Sequence, residues 1–127
     1  MVNTKSTMIS SIRKQLGKMG WKVASTKKPV LADNEMLVRL EDVDLQVETN
    51  ASYIANVYVI CEYNTMDGDS IPYQIVNLID ELEHYIVHDS TEPGKATFKF
   101  VSSQADDLGE LYRVNILLYY REVINLT

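Results

Sequence analysis

The sequence of 127 residues predicts an α+β domain, a mainly antiparallel sheet with two helices packed on one face. Two segments repeat apolar residues every three or four positions, the period of an amphipathic helix. Most of the remaining chain alternates at period two, the mark of strands. Turn-rich connections join neighbouring strands, which favours antiparallel pairing. The length fits one domain, residues 1–127, with one core.

The first helix is predicted over residues 4–19. Met8, Ile9, Ile12, Leu16 and Met19 form one stripe, with Lys14 and Lys18 on the far side. Asn3 or Thr4 can cap its start, and Gly20 can end it in the left-handed conformation. Trp21 is expected to fold back over the helix end. Trp21 to Ala24 follows as a short strand. The polar connection from Ser25 to Asn34 holds Lys27, Lys28, Pro29 and Asp33. It is long for a turn, and such loops often carry function or dock on a neighbour.

Glu35 to Leu40 alternates with Met36, Val38 and Leu40 on one side. Val43, Leu45 and Val47 alternate on the opposite parity. The phase shift near Glu41-Asp42 implies a bend, a bulge or two separate strands. Glu48 to Ser52 is a hairpin turn. Tyr53 to Tyr63 carries apolar residues on both faces and is predicted to be a central strand.

Asn64 to Ser70 is a loop in which Asp69 or Ser70 can cap the second helix, with Pro72 tolerated in its first turn. The buried stripe of that helix is Ile75, Leu78, Ile79, Leu82 and Ile86, and it ends by His88. Ala96 to Ser102 is a strand with Phe98 and Phe100 on one face. Ser103 to Glu110, with Asp106, Asp107 and Gly109, reads as an acidic loop. The final strand runs from Leu111 to Ile124. Tyr112, Val114, Ile116, Leu118 and Tyr120 lie on one face, and Leu111, Leu117, Tyr119 and Val123 on the other, interrupted by Arg113, Asn115 and Arg121. A strand apolar on both faces must be covered on both. That requirement points to a subunit that packs against copies of itself or a partner.

Composition narrows the function classes. With 18 acidic and 12 basic residues the formal net charge is −6. This argues against a free-standing DNA-binding module, but does not exclude a wall that DNA slides past. The single cysteine, Cys61, excludes an internal disulfide, and its apolar neighbours place it in the core. No apolar run approaches the ~20 residues of a membrane span, so no membrane partner is expected. The N-terminus lacks a signal-peptide core, so the glycosylation-like triplets at Asn50 and Asn125 are read as chance.

No constellation reads as catalytic. His84 and His88 stand one helical turn apart, but Tyr85 occupies the position of the glutamate in a zinc-hydrolase motif, and both fall opposite the apolar stripe. Asp67-Gly68-Asp69 lacks the further ligands of a calcium loop. The five glycines are scattered. Nothing near Asp106-Asp107 would raise a carboxyl pKa for acid–base work. No enzyme activity, metal or cofactor is therefore expected. Tyr53, Tyr58, Tyr63, Tyr112, Tyr119 and Tyr120 fall in predicted strands. Beside Arg113 and Arg121 they have the composition of a binding surface, or are strand formers whose hydroxyls reach water. The negative charge weakens the option of base stacking.

The layout resembles the phage tail-terminator (tail-completion, neck) protein family. Three segments carry the likeness: the helix Met8–Met19 leading to Trp21; the helix from Pro72 to Leu82, placed between the strand pairs; and the closing strand Tyr112–Val123. The resemblance implies a structural virion protein in the tail or neck, made in the host cytoplasm. It implies a hexameric ring that caps the tail tube and ends its polymerisation. The ring's expected partners are the tail tube protein and the head-tail connector, with DNA passing through the lumen without specific binding. On this view loops 25–34 and 103–110 dock the tube or connector. The interaction candidates are Lys27, Lys28, Asp106, Asp107, Tyr119 and Arg121. A non-viral α+β adaptor or small-ligand-binding domain that oligomerises through its sheet is the alternative.

Overall fold

The computed structural model describes residues 7–24, 30–89 and 96–125, with side chains described for residues 9–24, 30–82 and 99–121. In chain order the elements are α1 (Thr7–Lys18), β1 (Lys22–Ala24), β2 (Glu35–Thr49), β3 (Ser52–Thr65), a 3-10 turn at Gly68–Ser70, α2 (Ile71–Asp89), β4 (Ala96–Asp107) and β5 (Tyr112–Asn125). The strands form one sheet in the order β1-β2-β3-β5-β4. Among the described residues β1 and β2 are parallel, and the other three pairs are antiparallel. This is the predicted α+β architecture.

The end of α1 is fixed locally. Gly20 sits at φ +101°, a conformation that costs glycine little. Its N–H donates to Gly17 O at 3.1 Å, and Trp21 N–H donates to Leu16 O at 3.0 Å. These are the two bonds of a Schellman cap. The cap turns Trp21 back toward the core, where its ring meets Tyr63 edge-on with centroids 5.3 Å apart.

Both helices cover the same face of the sheet. Ile12 and Leu16 of α1 and Ile71, Leu78 and Leu82 of α2 pack with Met36 and Val38 of β2, Val57, Val59, Cys61 and Tyr63 of β3, and Val114, Ile116, Leu118 and Tyr120 of β5. Each fully buried large aliphatic side chain contributes roughly 1.5–3 kcal/mol. This layer is where the fold gains its hydrophobic stabilisation. Central β3 is paired on both sides along its length, as its two-faced apolar pattern predicts.

The phase shift in β2 is a β-bulge within one strand. Leu40 pairs with Val59 and Asp42 with Tyr58, leaving Glu41 as the extra residue. The bulge returns Val43, Leu45 and Val47 to the face that Met36 and Val38 occupy, because Val43 now pairs with Val57 and Leu45 with Ala55. Thr49 and Ser52 close the hairpin, their hydroxyls 2.7 Å apart.

One expectation is corrected. Ser103 to Asp107 is not loop but the second half of β4, pairing with Ile116 to Tyr112 of β5. A bulge at Val101 separates the two halves. Acidic and amide residues are poor strand formers on average, but an edge strand wet on both faces tolerates them. The true connection is short. Leu108 N–H donates to Leu111 O at 2.9 Å, and Gly109 at φ +101° takes the left-handed turn position.

Candidate interaction surfaces

Among the described residues no element covers the second face of the sheet. Leu37 and Glu62 are nevertheless buried there. The Glu62 carboxylate is held between two arginines. Arg39 Nε donates to Glu62 Oε1 at 3.2 Å, and Arg113 Nη1 lies 3.7 Å from Glu62 Oε2. Arg39 Nη1 also donates to Glu41 Oε1 at 2.9 Å. Burial pulls the Arg39 pKa down, but the bonds and charges of Glu41 and Glu62 outweigh it, and the net shift is upward. Arg113 Nε donates to Asn64 Oδ1 at 3.2 Å, and Asn64 Nδ2 to Leu31 O at 3.0 Å. The network ties β2, β3, β5 and the segment before β2 together.

Further along this face, Tyr58 and Tyr119 pair across β3 and β5 with ring centroids 5.2 Å apart. The Tyr119 hydroxyl donates to Asn56 Oδ1 at 2.6 Å. Leu117, Ile60 and Ile54 are half-buried between these polar groups. Among the described residues the final strand therefore finds cover for one face only, and its second face is a mixed aromatic, aliphatic and charged surface.

The distal half of β2 projects beyond the helices. Val43, Leu45 and Val47 lie on the helix-side face, yet are 43, 59 and 73% exposed. Asp42, Asp44 and Gln46 alternate with them and are also exposed. On the far side of β2, β1 pairs only with Glu35 to Leu37. From Val38 to Thr49 the outer edge of β2 has no strand partner among the described residues.

Strand β4 forms the opposite edge of the sheet. Lys99, Phe100 and Val101 are exposed on it. Its acidic end bears Asp106, paired with Arg113 in register, and Asp107, paired with Tyr112; both acids are exposed. Gln104 Nε2 donates to Asp106 Oδ1 at 3.0 Å, and Gly109 N–H to Asp107 Oδ1 at 2.9 Å.

A cleft of about 280 Å³ lies between Trp21, Asn34, Tyr63, Thr65 and Gln74. Its polar groups satisfy one another. The Tyr63 hydroxyl donates to Gln74 Oε1 at 2.9 Å, and Gln74 Nε2 donates to Thr65 Oγ1 at 3.1 Å. Ligand sites usually present a few polar groups to an incoming molecule and measure roughly 300–1,000 Å³. This cleft is smaller, and its hydrogen bonds are internal.

The structure scatters the residues singled out in the sequence. Tyr119 and Arg121 share the helix-free face, Arg121 being exposed and Tyr119 half-buried. Asp106 and Asp107 stand at the end of β4 and, as neighbours in a strand, point to opposite faces. Lys27 and Lys28 lie outside the described residues, as do the side chains of His84 and His88. Cys61 is fully buried, and burial pushes its thiol pKa up to about 12. Among the described residues no three His, Cys, Asp or Glu side chains cluster as a metal site, and no helix is long and apolar enough to cross a membrane. Sequence reasoning missed Glu62. Its signal was an acid inside an otherwise apolar central strand, with arginines in flanking strands to match it.

No protein family and no curated protein matches the chain. Among solved structures, a chain from the virion of a native gene transfer agent (GTA) particle is similar, with a TM-score of 0.49 and 10% identity over 93% of this chain and 91% of that one. A likeness at that level carries no functional weight.

Proposed function

We propose that this chain is a structural subunit of a phage-type virion, assembling head to tail into a ring that caps the tail tube and joins it to the head connector. One observation carries the assembly part. A single sheet ends in two open edges of unlike chemistry, the apolar and acidic distal half of β2 and the Lys99–Val101 stretch of β4. Cyclic rings use heterologous interfaces, in which the two contacting surfaces of a subunit differ. Unlike edges on opposite sides of one sheet meet that requirement, whereas a two-fold dimer needs one self-complementary patch. The tail-terminator role draws on the layout of the two helices and the closing strand. The net charge of −6 suits a channel that does not grip DNA. Asp106, Asp107, Tyr119 and Arg121 are proposed contacts to the tube, the connector or a neighbouring subunit, and Lys27 and Lys28 are proposed docking residues of the 25–34 connection. The proposal assigns no catalytic role.

Light scattering of the purified protein across a concentration series tests the assembly. A hexamer supports the ring and justifies imaging with tail tubes. A stable dimer at every concentration favours an adaptor that dimerises through its sheet. A monomer that does not assemble when tail tubes are added rules out the terminator role.

A further inference from the structure

We propose, resting on the head-to-tail assembly above, that a second copy of this chain occupies the free edge of β2. Val43–Val47 of one copy adds, antiparallel, to Ala96–Phe100 of β4 in the next, with Asp44 opposite Lys99 and Val43 opposite Phe100.

Strand direction comes first. Within the sheet β2 is antiparallel to β3, β3 to β5, and β5 to β4, so β2 and β4 run in opposite directions. A copy related by rotation about an axis along the strands keeps both its strand directions and its helix side. Its β2 then meets the neighbour's β4 antiparallel, continuing the pattern of the sheet.

Face chemistry fixes the partner. On β2, Val43, Leu45 and Val47 share the helix-side face, while Asp42 and Asp44 point to the other. On β4, Phe100 pairs with buried Leu118 and so shares the helix side, while Lys99 pairs with Tyr119 and shares the opposite side. The antiparallel register that pairs both strands up to their bulges matches both faces at once: Val43 meets Phe100 where both are exposed and apolar, and Asp44 meets Lys99 with opposite charge. Opposite charges directly across a strand pair stabilise it, and like charges destabilise it. Two β2 edges brought together would set Asp42 and Asp44 against each other. The acids therefore select the unlike edge.

The same register explains where pairing stops. Beyond Asp42 comes the Glu41 bulge, and beyond Phe100 the Val101 bulge. Bulges end regular pairing and bend the strand. Past this point β1 already occupies the edge of β2, so the neighbour's β4 must diverge, and both strands bend where it does.

Single-cysteine cross-linking tests the pairing. Cys61 is fully buried and does not compete. Within one chain positions 44 and 99 are separated by two intervening strands, or roughly 14 Å at the usual spacing, beyond the reach of a disulfide. An Asp44→Cys chain mixed with a Lys99→Cys chain is expected to give a covalent dimer on mild oxidation, while each alone stays a single chain. The Asp44→Cys/Lys99→Cys double variant should give a ladder of linked chains. Both sites are exposed, so a thermal melt close to wild type shows that the variants are folded. Self-linking of either single variant at the yield of the mixture overturns the proposal, as does the absence of any covalent dimer. Adding tail tubes separates the two ideas. Linked rings that fail to cap tubes refute the virion role and leave the edge pairing standing. Wild-type chain that caps tubes without the cross-link refutes the pairing and leaves the role.

Discussion

Arg39 and Glu62 are diagonal neighbours across β2 and β3, and their side chains meet at 3.2 Å on the helix-free face of the sheet. Glu62 is the buried partner and Arg39 the partly exposed one. Removing the acid leaves Arg39 only its exposed partner Glu41 and takes away the carboxylate beside Arg113. Glu62→Ala is expected to cost about 1.5–3 kcal/mol, the range for hydrogen bonds to charged groups. Arg39→Met should cost less, about 1 kcal/mol or below, because water reaches the arginine. Urea unfolding of both variants checks the order.

Two glycines should respond in opposite directions. A Cβ on Gly68 would stand 2.5 Å from Tyr112 Cε2, inside contact distance. Tyr112 packs against the core, so its ring has to shift, and Gly68→Ala should destabilise by about 1–3 kcal/mol. A Cβ on Gly17, in the last turn of α1, meets nothing within 4 Å. Gly17→Ala should stabilise by about 0.5–1 kcal/mol through helix propensity. Melting temperatures of the pair check both signs.

Alkaline pH should destabilise the protein through two buried groups. Burial raises the Cys61 thiol from 9.0 to about 12 and the Tyr63 hydroxyl from 10.0 to about 12. Both pKa values are raised on folding, so their contribution is complete below the unfolded values and is lost as pH rises. Between pH about 9 and 12 the unfolded chain releases protons that the folded chain retains. Stability should fall by up to about 1.4 kcal/mol per pH unit for each group. In Cys61→Val the loss should begin nearer pH 10, and denaturation midpoints across this range give the comparison.

Replacing Leu45 and Val47 with threonine should leave the isolated subunit as stable as wild type, within about 0.5 kcal/mol, because both side chains are exposed. Association should weaken, and native mass at a fixed concentration should fall. Equal loss of thermal stability and of mass would instead mean that these residues support the fold itself.

How far the fold was legible depended on which physical signal each segment carried. Trp21, Gly20 and the stripe of α1 are local, and the predicted cap formed as read. The two-faced pattern of Tyr53–Tyr63 placed β3 at the centre of the sheet. The phase shift at Glu41 was visible as a broken alternation, but choosing a bulge over two strands needed the pairing partner Tyr58. Asp106 and Asp107 misled because strand propensity is averaged over buried positions, and an edge strand obeys different limits. Glu62 stayed hidden because its role depends on Arg113, 51 positions away and two residues from its register partner Asn115. The open edges were illegible for a similar reason. Strand order is a property of the whole sheet, and no single segment encodes that β5 inserts between β3 and β4.

Glu41 is a removable residue. Replacing it forfeits only an exposed ion pair with Arg39, worth about 1 kcal/mol or less. Deleting it leaves Leu40 opposite Val59 and Asp42 opposite Tyr58, so the alternation becomes continuous and Val43, Leu45 and Val47 stay on the helix side. What the deletion takes away is the local bend and added twist of the strand: at this position one extra letter sets curvature, not which side of the hairpin is greasy.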